Sequence, residues 1–290
     1  MYVFYNYFWR GFMPALSFIV SMSIYMLLLF FFLDYTREKP KFYKWFFILS
    51  LLSAPLWFMN DLSWFRWAKV LSVLIPLCFV SFVRMAKDGR GKNVIESFKK
   101  DWPLWVLYFI LMLNIVEATL SDFEMGNYFN SACGVILCIT IPLPTKHWRI
   151  TKYDGKKNFG ELIADLPLAW CILYTTWNVV FVYAENTSYV ASSICILTIP
   201  FIWMLFKKRN DLWLMGRMYT LGLHILIRSS YDIFTPVMDS SAWWNAEVCY
   251  YLGLANFIGH AIYLVYWFFK LRNKDYVLKY SAQNPNYQLA

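Results

Sequence analysis

The sequence is poor in charge and in histidine: only 16% of its 290 residues are Asp, Glu, Lys or Arg, and three are His. So little charge cannot cover the surface of a soluble domain of this size, which argues against a soluble enzyme or binding module. The short motifs of several common chemistries are also missing. There is no Gly-rich phosphate loop ahead of a helix, no GxSxG elbow, no HExxH pair and no TVGYG filter. No lysine falls at mid-depth in an apolar run, so a retinal Schiff base has no anchor. The six cysteines (Cys78, Cys133, Cys138, Cys171, Cys195, Cys249) form no CxxC or CxxCH and read as small buried hydrophobes. The net charge of +9 is scattered through short loops rather than gathered on one face, which argues against nucleic acid as a partner.

What is present in quantity is apolar sequence. Hydrophobic residues make up 60% of the chain and aromatics 21%, with a mean hydropathy of +0.43. Nine runs are long enough to cross about 30 Å of hydrocarbon at about 1.5 Å per residue. They cover 12–34, 45–61, 65–84, 103–121, 127–144, 162–184, 188–206, 212–233 and 246–270. The second is short and contains Pro55. The first is longer than a signal-peptide core and has no small-residue cleavage site after it, so it is expected to stay as a span. The expected fold is therefore all-α and polytopic, a single transmembrane domain over 1–275 with a frayed tail over 276–290.

Basic residues set the expected orientation. Arg37, Arg84, Lys146, Arg149, Lys207 and Arg209 all follow odd-numbered runs, whereas Arg10, Arg66 and Lys69 lie on the opposite side. The positive-inside rule then puts the N-terminus outside and the C-terminus in the cytoplasm. Asp122, Glu124 and Asp239 read as solvated loop carboxylates, and Trp45, Trp64, Trp67, Trp102, Trp148, Trp243 and Trp244 as an interfacial belt. The loop 85–101 has helical spacing at Val94, Ile95 and Phe98 and suggests a surface amphipathic helix. ILCITIPL (136–143) and ICILTIPF (194–201) end two runs alike, and the run before each carries an Asn, Asn114 or Asn178. This pattern suggests parallel hairpin repeats, with convergent span endings as the alternative.

The candidate functional residues are the polar ones retained inside apolar runs, where a charge costs roughly 2.5 to 3.5 kcal/mol. LGLHILIRSSYDIF (221–234) places His224, Arg228 and Asp232 four apart, on one face of a helix. Counting at about 1.5 Å per residue puts Asn60, Glu117, Asn178, Arg228 and Asn256 in one layer, about two thirds of the way out. Such a layer is either a ligand cavity or a network of hydrogen bonds pinning helices together. Glu117 is the expected counter-ion of Arg228, with Asp232 as competitor. His224 and His260 are weak candidates for a metal or haem site, although no cofactor is expected, because adjacent helices at 8 to 10 Å leave little room for a macrocycle. The sequon Asn186-Thr187-Ser188 is read as accidental in so short a loop.

LNIVEATLSDF (113–123), Trp177-Asn178 followed by FVYAENTS (181–188), and FRWAKVLS (65–72) resemble a family of bacterial multi-pass inner-membrane proteins of about this length. That family is a domain of unknown function. The resemblance implies an inner-membrane location and a recurring pattern of Asn114, Glu117, Asp122, Trp177 and Asn178. The expected function is transport or channel-like passage of a small solute, with a cation as one candidate, through the polar layer. The alternative is a non-enzymatic sensor, scaffold or assembly protein in which the layer is structural.

Overall fold

A run of sequence that water does not solvate must satisfy its own backbone, and each of the nine apolar runs does so as a helix. The computed structural model describes residues 14–39, 42–59, 64–87, 96–151 and 159–272. Among the described residues the long helices are α1 (Pro14–Glu38), α2 (Phe42–Met59), α3 (Trp64–Lys87), α4 (Trp102–Glu124), α5 (Tyr128–Thr140), α6 (Leu168–Glu185), α7 (Val190–Phe206), α8 (Trp213–Ser230) and α9 (Ala246–Tyr266). Four helical stretches among the described residues are long and apolar enough to cross a membrane: Ala15–Glu38, Trp102–Glu124, Thr187–Phe206 and Ala246–Leu271. Asn60 and the tail over 276–290 lie outside the described residues, as does most of the expected amphipathic loop, of which Glu96–Lys99 forms one 3-10 turn.

Two runs end earlier or start later than their hydropathy suggests. The run over 162–184 is not helical from its start: Leu162–Ala164 is a strand, β2, paired antiparallel with β1 (Trp148–Ile150). Glu161 and Asp165 flank that strand, and α6 begins only after Pro167, whose missing N–H suits a helix start. The run over 127–144 gives 13 helical residues, and Pro142 and Pro144 follow its end. Pro200, by contrast, sits inside α7, so the two matching TIP sequences adopt different structures.

Five helices close a ring. α3 packs on α4, α4 on α6, α6 on α7, α7 on α8 and α8 back on α3. α1 lies against α7 and α8, α2 against α3 and α8, and α5 and α9 cover α4 and α6. The outward faces are apolar, with Leu52, Leu113, Phe31 and Ile262 well exposed. Polar residues turn inward, the inverse of a water-soluble domain.

One end of the ring carries the β-hairpin and is locked by a buried cation. Arg84, fully buried at the end of α3, donates to the carbonyls of Thr36 and Arg37 at the end of α1, to those of Phe159 and Gly160 beside β2, and to Tyr219 Oη on α8. It thereby satisfies terminal carbonyls that α1 cannot bond internally. Arg37 donates to Glu161 at 2.9 Å, and Thr151 Oγ1 donates to the same carboxylate at 2.8 Å. Nearby, Asp34 of α1 accepts from Trp203 Nε1 of α7 and from Lys207, the residue just after that helix.

Candidate functional site: a cavity inside the helix ring

The row noticed in the sequence continues further along α8 than 221–234. Trp213, Arg217, Leu221, His224 and Arg228 follow one another at spacings of four, four, three and four, so they share one face of the helix. That face spans about 22 Å at 1.5 Å per residue. It lines a cavity of about 450 Å³ within the ring, together with Asn114 and Glu117 of α4, Asn178 and Glu185 of α6, and Ser193 of α7. Of the expected layer, Glu117, Asn178 and Arg228 line this cavity, joined by Asn114 and His224, and the five come from three different helices.

At the end away from the hairpin, Arg228 donates to Asn186 Oδ1 at 2.9 Å and lies over the Tyr189 ring, 3.6 Å from its centroid. Neither is expected from the sequence as a partner of Arg228: Asn186 stands out there only as part of a sequon in the turn after α6, and Tyr189 lies at the very start of the seventh run. Glu117 and Glu185 line the cavity with Arg228. Asp232 does not continue the helical row, because α8 stops at Ser230 and Tyr231 is extended. Its carboxylate instead accepts from Tyr189 Oη, Thr235 Oγ1 and the amides of Phe234 and Thr235, so it caps the next helical turn.

Asn256 belongs to a different constellation. Its amide donates to Asn130 Oδ1, while Asn130 donates to Asp122 and to the Trp177 carbonyl, and Trp177 Nε1 donates back to the Asn130 carbonyl. Asn127 completes the group by donating to Asp122 Oδ1 at 2.9 Å. Asp122, expected to be solvated, is thus 0% exposed and ties α4, α5, α6 and α9 together. The reason is that α4 runs on to Glu124 and the turn at Gly126, with φ of +79°, folds Asn127 back onto it.

The two histidines have separate surroundings. His224, 3% exposed, pairs through Nδ1 with Tyr25 Oη at 3.2 Å and packs on Phe234. His260 uses Nδ1 against the Asn256 carbonyl one turn back on α9. Among the described residues, no group of three or more His, Cys, Asp or Glu side chains is placed to hold a metal.

The hairpin end of the cavity was not foreseen. Trp148, expected in the interfacial belt, is buried, lines the cavity and packs against Tyr108. Tyr174, Trp213 and Trp170 form an aromatic floor with ring centroids 5.2 to 6.0 Å apart. Arg217 lies here, 5% exposed, donating to the Ile196 carbonyl at 3.0 Å, with its guanidinium 5.9 Å from the Tyr174 centroid. Following the same helix face back from His224, three residues to Leu221 and four more to Arg217, would have found it. Comparisons of the chain with protein-family models, with curated proteins and with solved structures gave no match.

Proposed function

We propose that the protein is a multi-pass membrane protein that binds a small solute inside the α3–α4–α6–α7–α8 ring and passes it across the bilayer. The observation that carries this reading is the cavity of about 450 Å³, into which charged and amide groups from several helices face. A packed scaffold has no need of such a volume, since interiors are close-packed and voids forfeit dispersion contacts. Nine spans, with the hairpin end in the cytoplasm, fit the basic residues at that end, and a bacterial inner membrane fits the resemblance of 113–123, 177–188 and 65–72. The lining carries Glu117 and Glu185 against Arg217 and Arg228, so its formal charges are balanced and the solute class is not restricted to cations.

The test is flux in proteoliposomes across a panel of small solutes, with and without a proton gradient. Asn178→Trp is the blocking variant, because it fills the cavity from α6 without touching the Asp122 group. Uptake of some solute by the wild type that falls at least tenfold in Asn178→Trp supports transport. If the folded protein moves none of the panel, the sensor or assembly reading takes its place.

A further inference from the structure

Three residues at the hairpin end of the cavity carry hydrogen-bond donors that have no acceptor. Trp148 Nε1, Trp213 Nε1 and Arg217 Nε are all buried and lack a hydrogen-bond partner, and all three side chains line the same cavity. The indole and guanidinium N–H groups can only donate. Among the described residues no carboxylate lies within ion-pair distance of Arg217, whose partners are the Ile196 carbonyl and the ring and hydroxyl of Tyr174. A buried charge held this way is destabilising until an anion reaches it. The surrounding walls, Leu107, Leu214 and Tyr174, are apolar or aromatic.

We infer that this pole is a subsite for the oxyanion group, carboxylate or phosphate, of a ligand with an apolar or aromatic body. The inference rests on the solute-cavity reading and adds the chemistry of one end of the solute. A carboxylate or phosphate supplies acceptor lone pairs and negative charge together, and charge-assisted bonds of this kind are roughly twice as strong as neutral ones. The body of the ligand lies along Tyr174 and Leu214, with His224 about two turns beyond Arg217 on α8. The oxyanion could belong to a free small acid or to an anionic lipid headgroup, and the experiment separates the two.

Binding of radiolabelled benzoate to the purified, detergent-solubilised full chain is the direct test. Benzamide and benzylamine serve as neutral and cationic competitors of the same shape, inorganic phosphate as a second oxyanion, and phosphatidylglycerol against phosphatidylcholine in mixed micelles as the lipid arm. The expected result is saturable benzoate binding that is competed by phosphate or by phosphatidylglycerol and not by benzamide, benzylamine or phosphatidylcholine. Competition by phosphate alone assigns a free acid, and competition by phosphatidylglycerol assigns a headgroup. Arg217→Gln should weaken benzoate at least tenfold. Trp213→Phe and Trp148→Phe keep the ring and remove the donor, so each should weaken it several-fold while the protein stays folded. Absence of saturable binding to folded protein, equal competition by benzamide, or unchanged affinity in both Trp variants overturns the inference. Flux that Asn178→Trp blocks, without benzoate binding, removes this subsite and leaves transport standing. Benzoate binding without any flux does the reverse.

Discussion

Arg84 is wholly buried and donates to four carbonyls and a hydroxyl drawn from α1, α8 and the segment beside β2. Truncating it leaves those acceptors buried and unpaired. Arg84→Ala should therefore cost about 3 kcal/mol or more in a reversible unfolding assay, and Arg84→Lys should recover only part of it, because an ammonium lacks the planar fork. Glu161 beside it gives a pH signature. Its burial alone would raise the carboxyl pKa, but the charges of Arg37 and Arg209 and the hydrogen bonds from Thr151 and Arg37 outweigh that and hold it below its ordinary 4.5. A depressed folded pKa means that the stabilisation is present above pH 4.5 and is lost as pH falls through the lower, folded value. Thermal unfolding followed from pH 7 downward should show the wild type losing more stability below that point than Glu161→Gln, and parallel curves would refute the assignment. Sequence reasoning counted Arg84 as a topogenic loop charge, since nothing local to 80–90 indicates that 159–161, some 75 residues away, closes over it.

At the scale of elements, the α4–α5 hairpin is held by close approach as much as by hydrogen bonds. A Cβ on Gly134 would meet Thr119 Oγ1 at 1.9 Å and Trp177 at 3.3 Å. Gly134→Ala should destabilise by about 1 to 3 kcal/mol through overpacking. Adding Thr119→Ala should restore part of that loss in a double-mutant cycle, since it removes the nearest atom. Additive losses would mean that the two helices do not meet there. The positions of helices were legible because nine apolar runs leave the backbone little alternative. Helix ends were less so: β2 hides inside an apolar run because Leu162, Ile163 and Ala164 suit a buried strand as well as a helix. Depth counting singled out Glu117, Asn178 and Arg228, which line the cavity, together with Asn256, which does not, because depth says nothing about which way a side chain faces around its helix.

For the whole molecule, inside and outside are reversed relative to a soluble protein, and the helix ring holds a cavity. Adjacent residues of α4 make the contrast plain: Leu113 is 68% exposed on the outer surface, while Asn114 lines the cavity. The inward direction of the α8 row was readable from its spacing, and the ring that surrounds it was not, because which helices become neighbours depends on contacts far apart in sequence. The most direct measurement places a single cysteine at each of these two positions, with the six native cysteines replaced, and follows modification by a small, charged, membrane-impermeant methanethiosulfonate in intact proteoliposomes. The account predicts that the Asn114→Cys protein reacts and is protected by the bulky Asn178→Trp change, while the Leu113→Cys protein stays unreactive in lipid. Reaction at position 113 with none at position 114 would contradict it.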